Sequence, residues 1–507
     1  MKTTDGSDSR HAPDPRTGWR AILLGGLLAA LLFAAVWVPT HRPRPILATS
    51  DLYTHLSVAR HIARGEGFRT DIAYPLSFAF PFARELPQPL IHRQPGFGLL
   101  LTIPYLLSDG DPAETVAAAR RFQWSSLALL AGVGAAMLWR LGRWPAVGPW
   151  MVLLAANPML AYAVDWGFDE LACSMLLFVL WLRARGSGPE RGVVDGLLVG
   201  ALVLVRLELF WVPLVWWSIR RRKRRFWLPA VCTALIVMTP WLIRNARVSG
   251  QPFFALQSHA EHVKMTAAWP DYSVYRQLEP QPLLRSLTED PLPLLRKIAR
   301  GFRFFAFQLG GLLPWPVLAL WPAAGLVWLI RRRRRLSEPA VEMVTPFATG
   351  PIALAGVTLA LAIAQYSLFD HNLRHLLVLL PILLWESAIL LVALVGLVPR
   401  RSNTARRLLP TWIITTALAG LAVLLIGSEP AGWQNTIRDA RRQEAQVAER
   451  VAAILASGEE PLFVLSSAEP WYSDQPAVWM PQDGATRRKI RKYLGRTGSG
   501  VNGRERP

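Results

Sequence analysis

Residues 373–401 read LRHLLVLLPILLWESAILLVALVGLVPRR. A helix needs about 20 mostly apolar residues to cross the hydrocarbon of a bilayer. The stretch 373–397 supplies that length and then closes on Arg400 and Arg401. The pattern recurs on either side. An apolar block at 347–368 precedes it, and another at 409–427 follows Arg406 and Arg407. Further upstream a block at 310–330 runs directly into Arg331–Arg335. Repeated blocks of this length, separated by short charged or proline-rich stretches, predict an all-α polytopic membrane protein with about 11 transmembrane helices.

The composition agrees. Of 507 residues, 52% are hydrophobic, and mean hydropathy is +0.26. Trp is abundant at 22 residues, many near block ends, where its half-polar ring suits the membrane interface. The net charge of +21 and pI ≈ 11.0 would suggest nucleic acid in a soluble protein. Here the charge punctuates spans: Arg220, Arg221, Arg222, Lys223, Arg224 and Arg225 follow one apolar block directly. Such short basic loops fix cytoplasmic orientation, and binding of anionic lipid is a secondary role. No nucleic-acid partner is read from them. Cys173 and Cys232 both fall inside expected spans and read as neither disulfide partners nor metal ligands. The N-terminal apolar run lacks a small-residue cleavage site after it and reads as a retained first span.

The organisation follows from these blocks. Residues 1–18 read as a disordered cytoplasmic N-terminus, and 19–428 as the multi-spanning domain. After a first span at about 19–38 comes a long outer loop, 39–118. It holds one helical patch at about 51–65, with Leu52, Leu56, Ala59 and Ile62 on one face. A second patch, about 95–107, is short enough to be re-entrant or interfacial. Spans follow at about 119–139, 146–163 and 170–182. Residues 192–219 form two short apolar halves interrupted by Arg206 and Glu208, as broken helices lining a polar cavity do. A span at about 226–242 leads to a second long outer loop, 245–308. Residues 429–507 read as a small extracytoplasmic α/β appendage. It has an amphipathic helix at 436–457, strands in PLFVLSS and AVWM, and a disordered end. The protein is expected in the plasma membrane with its N-terminus cytoplasmic and its C-terminal domain outside.

Charged groups at or near membrane depth are costly and therefore functional candidates. Asp51, Arg93, Asp165, Asp169, Glu170, Arg206, Glu208, Arg244, Asp370 and Arg374 all fall at expected outer ends of spans. Carboxylates mixed with arginines suit a reaction in which an acid oxygen accepts a proton and guanidiniums hold a phosphate. Simpler roles stand beside these. Asp51 also suits a helix cap, Arg93 a snorkelling interfacial residue, and Arg206 a structural pairing with Glu208. Glu261 with His259 and His262 could hold a metal but reads better as solvated surface, and no metal ligand is assigned.

The segment SDLYTHLSVARHIARGEGF (50–68) resembles the first outer loop of multi-spanning glycosyltransferases that use lipid-phosphate sugars. This is the C-type fold class, which includes protein O-mannosyltransferases and the aminoarabinose transferases acting on lipid A. The matching residues are Asp51, Tyr53, Ala59, Gly65 and Gly67. HRQPGFGLLLTIPYLL (92–107), TPWLIRNARVSGQPFF (239–254) and HNLRHLLVLLPILL (371–384) resemble later elements of that family, in its order.

The resemblance implies a C-type architecture. It also implies transfer of a single sugar from a polyprenyl-phosphate donor to a glycan, lipid or protein acceptor hydroxyl, with inversion. Asp51 would be the general base. Arg93, Arg206, Arg244 and Arg374 would hold the donor phosphate, and Asp169 or Asp165 would orient the acceptor or assist the base. No cofactor is required by anything in the sequence, although a divalent metal is compatible. Some branches carry Asp-Glu at the first position, where this chain has Asp51-Leu52, so sugar and acceptor stay open. The main alternative is a transporter or flippase of a lipid-linked sugar. Transporters usually show paired repeats, and no convincing repeat is found. A polytopic scaffold would leave the charges at membrane depth without a purpose.

Overall fold

The computed structural model describes residues 24–35, 50–185, 192–219, 224–313, 315–322, 351–396, 413–421, 442, 445–454, 456 and 462–495. Among them, four helices are long and apolar enough to cross a membrane: Pro112–Arg140, Arg225–Ser249, Pro351–Phe369 and Leu373–Val395. Two bent pairs bring this to six, namely Trp144–Ala155 with Pro158–Trp166 (54°) and Leu292–Leu312 with Trp315–Pro322 (112°). Leu24–Ala35, Gly96–Leu107, Gly192–Val205 and Leu207–Ile219 are shorter apolar helices. The chain is a multi-pass membrane protein. The expected count of about 11 exceeds what these residues show, and the blocks at 310–330 and 409–427 fall partly outside them.

Local chemistry explains where the helices break. The expected span at 146–163 is divided at Asn157-Pro158. Proline starts the second helix, and Asn157 Oδ1 accepts from the main-chain N–H of Met159 (3.0 Å) and Leu160 (3.3 Å). Residues 192–219 break where expected. Arg206 is extended (φ −145°, ψ 104°) between the helices Gly192–Val205 and Trp211–Ile219. One expectation shifts: the end of the loop 245–308 is itself helical, as part of Leu292–Leu312.

Close helix contacts are made by small residues. Gly192, Gly196 and Gly200 lie on one face of their helix, four residues apart. A Cβ on Gly196 would lie 2.3 Å from the Ala230 carbonyl oxygen, and one on Gly192 would lie 2.4 Å from that of Phe226. Only glycine allows the helix Arg224–Ser249 to approach so closely. Gly98 likewise faces Val58, which seats the helix Gly96–Leu107 on the helix Ser50–Ala63. Several tryptophans serve the core rather than an interface. Trp150, Trp181, Trp216 and Trp385 are fully buried. Their ring N–H groups donate to Ala131 O, Glu386 Oε1, Thr358 Oγ1 and Gly134 O respectively.

The two long loops and the tail pack together through small apolar cores and a short sheet. Ile72–Ala73, Ala477–Trp479 and Phe463–Val464 make a three-stranded parallel sheet in that order, with Ala477 opposite Ile72 and Phe463 opposite Val478. Ala73, Phe78, Val478 and Ile490 share one small core. The tail's strands therefore complete a sheet begun 400 residues earlier rather than standing alone, because two short strands bury too little by themselves. Of the expected helix 436–457, residues 445–454 are described and helical.

Candidate active site

The first turn of the helix Ser50–Ala63 carries Asp51, where a carboxylate suits the helix dipole. Both its oxygens meet arginines. Arg93 bonds Oδ1, and Arg374 Nη1 lies 2.8 Å from Oδ2. Arg93 comes from the turn before Gly96–Leu107. Arg374 comes from the 3-10 turn Leu373–Leu379, whose start Asn372 caps by accepting from the Arg374 N–H (3.1 Å). All three side chains are mostly buried. Burial pushes the Asp51 carboxyl up, but Arg93 and Arg374 outweigh it and hold it well below the usual carboxylate range. Two donors remain over: Arg93 Nε and Arg374 Nε are buried with no hydrogen-bond partner among the described residues.

Arg206 is the second centre. Its extended backbone at the helix break turns the guanidinium toward the start of the helix Glu170–Arg185. Nε and Nη2 grip Asp169 as a fork (3.1 and 2.8 Å), and Nη2 also donates to Glu170 Oε1 (2.7 Å). Nη1 lies 3.3 Å from Glu208 Oε1 and 3.2 Å from His375 Nδ1. The expected Arg206–Glu208 pairing is present but is only one of these contacts. Arg374 joins the two centres, with Nε 3.6 Å from Glu170 Oε1.

The network continues into the second loop. His375 Nε2 is 3.1 Å from Asp370 Oδ2, which also accepts from Lys264 Nζ at 2.8 Å. Lys264 sits over the Tyr272 ring and 3.8 Å from Glu261. Burial would push its ammonium pKa down, but Glu261 and Asp370 hold it above the ordinary lysine value.

Asp51, Arg93, Asp169, Glu170, Arg206, Glu208, Asp370 and Arg374, singled out in the sequence, thus meet in one polar network. Arg244 and Asp165 are placed elsewhere. The Arg244 guanidinium donates to the carbonyls of Leu90 (2.6 Å) and Phe68 (2.9 Å), which ties down the first loop. Asp165 lies on the helix Pro158–Trp166, its carbonyl accepting from Arg120 Nε (3.1 Å). His259 and His262 do not converge with Glu261. His262 bonds Ser286, His259 packs on Phe80 and Phe254, and Glu261 accepts from the Tyr275 hydroxyl. His55, Lys264 and His375 were not picked out in the sequence. For His55 a signal existed: it follows Asp51 by one helical turn, which places both on one face.

The fold is thus a bundle of apolar helices joined to a layer built from the two long loops and the tail. Two solved structures share it. ArnT from Cupriavidus metallidurans bound to undecaprenyl phosphate matches with a TM-score of 0.54 and 15% identity, over 94% of this chain and 89% of that one. ArnT from the same organism in the apo state matches with 0.52 and 15%, over 92% and 86%. No family model and no curated protein matches the chain.

Proposed function

We propose that this protein is a glycosyltransferase that moves one sugar from a polyprenyl-phosphate donor to an acceptor hydroxyl, with inversion, on the outer side of the plasma membrane. The observation that carries the reading is the Asp51 carboxylate between Arg93 and Arg374, each arginine keeping a buried Nε that makes no hydrogen bond among the described residues. A base and a phosphate clamp thus share one point. The solved ArnT structure with undecaprenyl phosphate supports a lipid phosphate as ligand.

In this mechanism the acceptor oxygen attacks the anomeric carbon and Asp51 takes its proton. The bond from that carbon to the phosphate oxygen breaks, and the polyprenyl phosphate leaves with the electron pair. Arg93 and Arg374 turn their donors onto the phosphate as its charge grows. Such electrostatic stabilisation is often the largest catalytic contribution. The same shift loosens their hold on Asp51 and raises its basicity when a proton must be accepted. Arg206, whose nitrogens are all engaged, positions Asp169 and Glu170 against this pair. The acceptor is an envelope glycan, a lipid or a protein, and the sugar a hexose or pentose. A flippase is not favoured, since it gives a paired acid and phosphate clamp no proton to move.

The test compares a deletion strain complemented with wild type or with Asp51→Asn at equal expression. Mass spectrometry reads the polyprenyl-phosphate sugar pool and the envelope products. Accumulation of one lipid-linked monosaccharide and loss of one sugar from a product is expected, with transfer reduced about 10²–10⁴-fold. A wild-type profile from the Asn variant would move the flippase reading ahead.

A further inference from the structure

Two histidines flank the Asp51–Arg93 pair and have no part in the mechanism above. His55 lies one helical turn after Asp51, and His92 immediately precedes Arg93. They are 2% and 6% exposed. The Nε2 atom of each is buried and has no hydrogen-bond partner among the described residues. An unmade bond of this kind is costly in the interior and is often found where a ligand completes it.

Their surroundings favour the neutral form. His55 meets the Phe97 ring edge-on (centroids 5.0 Å, 84°), and His92 meets Tyr74 (4.8 Å, 64°). Burial pushes His55 down to about 4, with Arg93 adding to it while Asp169 and Asp51 pull the other way. Burial and then Arg93 push His92 well below the ordinary histidine value. A neutral imidazole can accept a hydrogen bond through one ring nitrogen and donate through the other. It therefore suits a hydroxyl group, which both donates and accepts, and it adds no positive charge to a site already holding the phosphate clamp.

We propose that His55 and His92 are substrate-contacting residues whose Nε2 atoms hydrogen-bond sugar-type hydroxyls brought to the Asp51 carboxylate. The proposal rests on the transferase reading. Hydroxyls of this chemistry belong to both the donor sugar and the acceptor, and the two sources are separable by experiment.

The variants are His55→Phe and His92→Phe, which keep the ring packing on Phe97 and Tyr74 and remove the hydrogen bond. His55→Gln restores a polar atom. Undecaprenyl phosphate, which has no sugar, is the first probe, and its binding to the Phe variants is expected to stay within about twofold of wild type. Transfer in the complemented strain is expected to fall about tenfold or more, the loss of one buried hydrogen bond, with partial recovery in His55→Gln. The second probe is the lipid-linked sugar extracted from the deletion strain. Weaker binding to the Phe variants assigns the contact to the donor sugar; unchanged binding with lost transfer assigns it to the acceptor. Wild-type transfer by both Phe variants, or loss of undecaprenyl phosphate binding by either, overturns the proposal. Asp51→Asn is assayed in parallel. If it too transfers normally, the transferase reading fails; if it alone is inactive, only the role of the histidines fails.

Discussion

Arg206 holds Asp169 through two parallel hydrogen bonds, Nε to Oδ2 at 3.1 Å and Nη2 to Oδ1 at 2.8 Å, both ends buried. The planar guanidinium fork matches a carboxylate in this geometry, and a lysine could not reproduce it. Nη2 serves Glu170 as well, so one guanidinium pairs with two adjacent buried acids.

Removing that cation strands the acids. Arg206→Ala is expected to destabilise the protein by about 3–5 kcal/mol, the usual consequence of breaking a buried pair from one side. Thermal unfolding in detergent measures it. Arg206→Lys should recover only part of the loss. A wild-type midpoint for the alanine variant would mean that the two acids do not depend on Arg206.

The Asp71 side chain accepts from Ser57 Oγ (2.7 Å), Arg60 Nη2 (2.6 Å) and His61 Nε2 (2.9 Å), and His61 Nδ1 lies 2.5 Å from Glu66. Burial would lower the His61 pKa, but Asp71 and Glu66 raise it above the ordinary value. A pKa raised on folding adds stability that is complete below the unfolded value, about 6.5, and lost as pH rises through the folded value. Thermal midpoints are therefore expected to fall on the alkaline side of about pH 6.5, and to fall less in His61→Gln. Equal slopes for the two proteins would remove His61 as the cause.

Arg244 separates two roles. Its bonds to Leu90 and Phe68 carbonyls predict that Arg244→Gln lowers the thermal midpoint while undecaprenyl phosphate affinity, per folded molecule, stays within about twofold. A clamp arginine is expected to show the reverse, since charge-assisted bonds to phosphate are the stronger kind. A large affinity loss in Arg244→Gln would return Arg244 to the phosphate site.

Glycine packing gives a paired test. A Cβ at Gly196 meets backbone at 2.3 Å, whereas nothing lies within 4 Å of one at Gly356. Gly196→Val is expected to cost about 1–3 kcal/mol or to prevent folding, as overpacking does. Gly356→Ala should be neutral or slightly stabilising. Equal behaviour of the two would contradict the close approach of the helices Gly192–Val205 and Arg224–Ser249.

The sequence by itself determined the class of molecule, because apolar length and arginine placement are local properties that a bilayer reads directly. It also located the helix break at Arg206, since a charged pair between two apolar halves has no other stable home. It nominated most of the polar network, as charge near membrane depth is legible one residue at a time. Partnership was decided only by the tertiary structure. Arg206 and Arg244 look alike in the chain, yet one neutralises Asp169 and Glu170 while the other ties two loop carbonyls. Asp51 and Arg374 lie over 300 residues apart and meet only when distant helices pack. The strands at 463–464 and 477–479 could be read, but not their partner at 72–73, because strand pairing is a long-range contact. The spacing from Asp51 could have pointed to His55, but the unmade hydrogen bonds of His55 and His92 became visible only through burial, which is a property of the packed whole.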